Sequence, residues 1–173
     1  MLVDQTIVAV IFDQNAEIED TSNSPKGSSQ GGESSGKVVA CAAAVPWTGG
    51  WKKEGAGTED GWEIKAIAVN GDSRYLRTGL AVQVMTSLER RLAETAKKQL
   101  QISLPNGTGS EKSAEAACLT FWILAAECIN GSYWRRRGYR EVRRTTEGNG
   151  TWGCQTSFDL VVFRKDVEYD MLV

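Results

Sequence analysis

A chain of 173 residues with 41% hydrophobic and 24% charged residues has the size and make-up of one globular domain with its own core. A net charge of −2 argues against a general affinity for nucleic acid, and no apolar run reaches the roughly 18 residues of a membrane span. Histidine is absent and the four cysteines, Cys41, Cys118, Cys128 and Cys154, show no CxxC spacing, so the sequence predicts no metal site and reduced thiols in a cytoplasmic or nuclear protein. The amino terminus, Met1-Leu2-Val3-Asp4, lacks the basic segment of a signal peptide.

In chain order, Thr6 to Phe12 is rich in β-branched residues and reads as a strand. Residues 15–37 hold only Ala16 and Ile18 among repeated Ser, Gly and Glu, and are expected to form a flexible loop inside the single domain. Val38 to Trp47 returns to strand character, which suggests a hairpin with that loop at its tip. Trp47 to Gly55 is irregular, and its two tryptophans either cover the core or line a substrate site. Trp62, Ile64, Ala66 and Ala68 then alternate with Glu63, Lys65, Ile67 and Val69 at the period of a strand.

After a polar turn, Asn70 to Ser73, the period changes. Leu80, Val84, Leu88 and Leu92 recur every four residues, the apolar stripe of an amphipathic helix, and Lys97-Lys98 is expected to oppose the negative end of its dipole. Gln99 to Ser103 continues as a short strand or as the helix tail, and Leu104 to Ser113 is a loop. Cys118 to Ala126 is the continuous apolar run of a strand buried on both faces. A short helix over Gly131–Arg137, ended by Gly138, precedes two strands, Tyr139–Thr146 and Ser157–Arg164. The predicted order is β-β-β-α-β-α-β-β, an α/β (α+β) domain with a mixed sheet.

A strand, a glycine-bearing turn and a helix start flanked by arginines make an anion site. The first N–H groups of a helix have no internal partners, and the dipole favours negative charge there. Gly79 has no Cβ to hold a phosphate off the backbone, and Arg74 and Arg77 can add charge-assisted bonds. The plainer reading is a helix that starts at Thr78-Gly79 with two solvated arginines beside it.

Arg74-Tyr75-Leu76-Arg77-Thr78-Gly79-Leu80-Ala81, after Ile67-Ala68-Val69, resembles the acyl-CoA-binding signature of the GNAT superfamily of N-acetyltransferases. Gly79 and Ala81 match its two small residues, whereas Leu76 stands where Gln or Arg is usual. Ser132-Tyr133-Trp134-Arg135-Arg136-Arg137-Gly138-Tyr139 is similar to the second signature, an aromatic-rich helix leading to Gly-Phe/Tyr. The resemblance covers roughly residues 6 to 166. It implies a mostly antiparallel sheet in which the Trp62–Val69 and Cys118–Ala126 strands are parallel and splay apart, with the pantetheine arm of acetyl-CoA in the gap.

The cofactor-binding residues so implied are Ile67, Ala68 and Val69 through their backbone, then Arg74, Arg77, Thr78, Gly79, Leu80 and Ala81, and Glu127, Trp134 and Arg137 from the second half. Family members open with a strand and two helices that wall the acceptor side. Either this chain is a shortened variant, or a second copy or a partner chain completes that wall.

Acyl transfer to an amine needs a base for the amine and a fate for the thiolate. Glu63 matches the catalytic glutamate of some family members, and a partly buried carboxylate can be tuned for base work. Without histidine the other bases are Glu127, Asp72, Glu59 or ordered water. Carbonyl polarisation falls to a backbone N–H at the end of the Trp62–Val69 strand. The family's acid is often a tyrosine four residues before the helix-ending glycine; here that position is Trp134, whose indole cannot act as an acid. Either Tyr133 faces the cleft as the acid, or the thiolate leaves with water as its proton source and Trp134 lines the thioester pocket. The second reading is favoured.

The expected activity is therefore acetyl transfer from acetyl-CoA to a primary amine, on a small molecule or a protein. Two alternatives stay open. One is a catalytically silent acyl-CoA-binding or interaction module. The other is a nucleic-acid-binding domain built on Arg135, Arg136, Arg137, Arg140, Arg143 and Arg144 beside Tyr133, Trp134 and Tyr139, which the acidic total charge disfavours.

Overall fold

The computed structural model describes residues 6–15, 36–103 and 117–169. The expected loops over 15–37 and 104–113 lie almost wholly outside them. The elements are β1 (Ile7–Asp13), β2 (Lys37–Pro46), β3 (Trp62–Val69), α1 (Leu80–Ser103), β4 (Ala117–Ala126), a π turn (Glu127–Gly131), α2 (Ser132–Arg136), β5 (Arg140–Glu147) and β6 (Phe158–Tyr169). They keep the order read from the sequence. One six-stranded sheet has the order β1-β2-β3-β4-β6-β5, with β3 and β4 parallel and every other pair antiparallel. No helix of the described residues is long and apolar enough to cross a membrane.

One face of the sheet carries the main core. Val84, Met85, Leu88 and Leu92 of α1 are buried against Ala40, Ala42 and Ala44 of β2, Ile64 of β3 and Phe121, Ile123 and Ala125 of β4. Alanine along β2 lets the helix come close, and each fully buried Leu contributes about 1.5–3 kcal/mol. Trp134 of α2 and Tyr139 join the same cluster, so both helices lie on this face. Gln99–Ser103 is the tail of α1; Lys97 and Lys98 therefore precede the last turn, which holds no basic residue, and the expected charge at the dipole's negative end is absent.

The strand phase of β3 differs from the alternation expected. Ala43 pairs with Ala66 and Ala44 with Ile64, so Lys65 is an extra, bulged residue. The bulge flips the alternation. Trp62 and Ile64 before it and Ile67 and Val69 after it all pack on the α1 face, while Ala66 and Ala68 are exposed on the other. A period-two pattern cannot register one inserted residue.

The second face is covered differently. Trp47 stacks on Trp122 with ring centroids 4.8 Å apart and planes 8° from parallel, and Val162 completes this smaller cluster. The segment between β2 and β3 thus covers the core there. Beyond it, Val8, Val10 and Phe12 of β1 and Val38 of β2 are exposed on the same face.

Candidate functional site

The ladder between β3 and β4 is short. Trp62 pairs with Phe121 and Glu63 with Trp122, and there the pairing stops, although β3 runs on to Val69 and β4 to Ala126. The bulge at Lys65 comes immediately after, and the bend it introduces carries β3 away from its parallel neighbour. Beyond Glu63 the inner edge of β3 has no strand beside it, so its backbone faces an open V. Gly61 sits just before the vertex with φ of +116°, and a Cβ there would lie 2.3 Å from the Thr120 carbonyl oxygen. Glycine is required by both the angle and the approach.

At the open end, the turn from β3 into α1 is braced from below. Tyr75 is buried and its hydroxyl donates to Asp13 of β1 at 2.9 Å. Asp72 accepts from the Arg74 backbone N–H and guanidinium, which hold its carboxyl down at about 2. Thr78 Oγ1 donates to the Tyr75 carbonyl at 2.7 Å. Arg77 and Gly79 both have positive φ, 62° and 84°. The carbonyl of Gly79 accepts from Val82 and Gln83, whereas no described protein group accepts the N–H groups of Thr78, Gly79, Leu80 or Ala81. A cluster of free N–H groups in such a turn, at a helix start with no acidic residue in its first turn, has the geometry and polarity to accept an anion. A Cβ on Gly79 would meet no atom within 4 Å, so the space over the turn is open.

The far wall of the V is β4 together with the π turn and α2. After Ala126 the chain makes the π turn, an insertion often associated with functional sites, and α2 folds back along the helical face. The registers fix how far back. Arg140 pairs with Arg164, Arg164 with Trp122, and Trp122 with Glu63, so the chain leaving α2 returns to the level of the vertex. Between mouth and vertex it carries Tyr133, Trp134 and Tyr139. Their rings meet edge to face, at 4.9 Å for Tyr133–Trp134 and 5.3 Å for Trp134–Tyr139. The Tyr133 hydroxyl, the Trp134 indole N–H and the Tyr139 hydroxyl are all buried with no hydrogen-bond partner among the described residues.

No protein-family model matches this chain, and no curated protein does. Among solved structures, it is similar to NAA60 of Arabidopsis thaliana in complex with acetyl-CoA, at 14% identity over 95% of this chain and 77% of that one, with a TM-score of 0.44. It is similar to the same protein in complex with a bisubstrate analogue, at 14% identity over 84% and 71% with a TM-score of 0.40. A third similarity is to the NatB acetyltransferase complex bound to CoA and MES, at 19% identity over 76% and 67% with a TM-score of 0.39.

The other residues expected at the site divide between the two walls. Ile67, Ala68 and Val69 form the end of the free arm of β3, and Arg74, Arg77, Thr78, Gly79, Leu80 and Ala81 surround the N–H concavity. Arg74 is tied to Asp72 and lies over the Tyr75 ring. Glu63 is 4% exposed, stands at the vertex on the face opposite Trp62, and accepts from Lys65 Nζ at 2.7 Å. Both oxygens of Glu127 are held by Arg135, at 2.6 and 2.9 Å, and one also by Arg144. Those guanidiniums keep the Glu127 carboxyl below its ordinary range. Arg137 caps α2, its N–H donating to the Tyr133 and Trp134 carbonyls.

Four of the six arginines in this stretch, Arg135, Arg140, Arg143 and Arg144, are engaged in ion pairs. Arg135 and Arg144 interlock with Glu127, Glu141 and Asp159, clamping the π turn and α2 to β5 and β6. Arg143 pairs with Glu59, which also accepts from the Trp47 indole, and Arg140 pairs with Asp166. Sequence reasoning missed the bulge, the Tyr75–Asp13 brace and the Tyr139 hydroxyl. Only the aromatic content of residues 133–139 offered a signal for the last.

Proposed function

We propose that this chain is an acyl-CoA-dependent N-acyltransferase that moves an acetyl group from acetyl-CoA to a primary amine. The observation that carries the reading is the split between β3 and β4. A parallel pair that parts after Glu63 and Trp122 leaves a free strand edge, and that edge leads straight to a concavity of unpaired N–H groups. An extended molecule with amide groups along its length and phosphates at one end fits both features. The phosphates lie on the N–H groups of Thr78 to Ala81, beside Arg77; the amides pair with the backbone of Ile67 to Val69; the thioester comes to the vertex.

There a backbone N–H of β3 beyond the bulge is a fixed donor to the thioester oxygen as negative charge develops on it. Glu63, at the same level, is the carboxylate available to take a proton from the amine, once Lys65 gives up its bond. Glu59, Asp72 and Glu127 are each committed to an arginine and are not assigned this part.

The deciding experiment pairs calorimetry with acetyl-CoA and a thiol-release assay over a panel of amines. Binding together with amine-dependent release of thiol is expected; binding without release under any amine identifies a silent acyl-CoA-binding module, and absence of binding overturns the reading. Gly79→Glu is expected to abolish acetyl-CoA binding by placing bulk and negative charge over the concavity. Gly79→Ala, which carries the same backbone strain without the charge, serves as the stability control.

A further inference from the structure

We propose that the Lys65 amine is itself an acetyl acceptor, modified by acetyl-CoA bound to the same chain, an inference that rests on the acyltransferase reading. Lys65 is the bulged residue of β3, two positions past the last pair with β4, so it stands where the V opens. A bulge re-aims the side chain it carries. Here Lys65 Nζ donates to Glu63 Oε1 at 2.7 Å. The two members of this pair are held very differently. The Glu63 side chain is 5% exposed and that of Lys65 is 52% exposed, so a buried carboxylate relies on an ammonium that is free to move. Glu59, by contrast, is gripped by both arms of the Arg143 guanidinium and by the Trp47 indole. At the vertex, then, a primary amine already sits on the carboxylate assigned to take a proton from an amine. Lys165 of β6 stands at the same level, paired with Phe121, but its ammonium is tied to Glu89 of α1 at 3.1 Å and lies over the Tyr139 ring on the helical face.

The step balances with acetyl-CoA alone. Glu63 accepts a proton from the Lys65 ammonium, and the neutral Nζ bonds to the thioester carbon. The carbon–sulfur bond breaks and its electron pair leaves on the sulfur of CoA. Nζ sheds a second proton as the amide forms; of the two protons lost, one ends on the thiolate and the other in solvent. The flexible four-carbon stem of a half-exposed lysine lets Nζ leave Glu63 for the carbonyl carbon without a change in the backbone. A tethered amine needs no encounter step, so Lys65 reacts when no outside amine is present. The product is an amide, far less reactive than the thioester, so the acetyl group stays on Lys65. It carries no charge, and the ion pair with Glu63 is lost.

The test incubates the full chain with acetyl-CoA in an amine-free buffer and follows it by intact mass and peptide mapping. Wild type is expected to gain a single acetyl group, on Lys65, at a rate per chain that does not change on about tenfold dilution of the protein. Glu63→Gln is expected to slow the gain by roughly 100-fold, the effect of removing a general base. Gly79→Glu, which should not bind acetyl-CoA, is expected to abolish it, and Lys65→Arg to remove the site. The mapping of wild type decides the matter even where a variant does not fold. Acetylation spread over several lysines, or found at Lys165 instead, overturns the inference. So does a rate that falls in proportion to dilution, which marks transfer between chains, or an equal rate in Gly79→Glu, which marks reaction with free acetyl-CoA. If wild type binds acetyl-CoA and releases thiol with an added amine while Lys65 stays unmodified, the inference fails and the acyltransferase reading stands. Failure of wild type to bind acetyl-CoA overturns both.

Discussion

The two walls of the V are built from opposite materials. β4 is held by β6 along its whole length, from Ala117 with Tyr169 to Ala126 with Leu160, and buries Phe121, Trp122, Ile123 and Ala125. Its end is clamped further by the arginine network around Glu127. Beyond the vertex β3 is paired with β2 alone, is interrupted by a bulge, and exposes Lys65, Ala66 and Ala68. One wall is dense core. The other is a thin ribbon whose small side chains leave its backbone as the chief feature. Under the proposed reading the two walls divide the work: the dense wall fixes the geometry, and the thin one offers hydrogen bonds to an extended amide chain.

That contrast predicts unequal sensitivity to substitution. Phe121→Ala, in the dense wall at the vertex, should cost about 3–5 kcal/mol, read as a lower urea midpoint with an unchanged m-value; a loss below about 1 kcal/mol would show that β4 is not the stiff partner. Gly61→Ala should come next. A Cβ at a φ of +116°, 2.3 Å from the Thr120 oxygen, forces the strands apart where they still pair. A loss of about 1–3 kcal/mol is expected, and an unchanged melting temperature would mean that the vertex is looser than the contact indicates.

The clamp at the end of β4 should yield to acid in a defined window. The guanidinium of Arg144, with that of Arg135, holds the Glu141 carboxyl down at about 2. A depressed carboxyl contributes stability above its ordinary value, 4.5, and loses it as the pH falls through about 2. The tryptophan fluorescence of the α2 region should therefore stay constant from pH 7 to about 5 and change only below. Glu141→Gln should lower the stability at pH 7 modestly and shrink this acid-sensitive step; an equal step in the variant would assign it to other carboxylates. The smallest effect is expected on the thin wall. Ala68→Ser should leave stability within about 0.5 kcal/mol, and a larger loss would reveal packing on a face that is exposed here.

Much of the frame was legible beforehand because it is local. The stripe Leu80, Val84, Leu88 and Leu92 has a single periodicity and no competing partner, so α1 was bound to form where it does. The run from Cys118 to Ala126 is too apolar for an edge and too short for a long helix, and it became the doubly buried β4. Gly79 before a helix start announced the N–H concavity. The phase of β3 beyond Lys65 was not legible, since alternation assumes an uninterrupted ladder, and the inserted residue shows only in the pairing with β2. Nor was the fate of the arginines. Arg135, Arg143 and Arg144 read as a basic patch in the chain, and their partners Glu127, Glu59 and Asp159 lie 8, 84 and 15 residues away.

By itself, then, the sequence determined the elements, their order and the positions of the special glycines, because these depend on side-chain periodicity and backbone freedom within a few residues. The tertiary structure decided where β3 and β4 part, which face each residue of β3 presents, and which polar groups near the vertex are left without partners. Those outcomes depend on the meeting of segments far apart in the chain: Lys65 bulges only against β2, and the chain leaving α2 returns to the level of Glu63 only through the β5–β6–β4 registers.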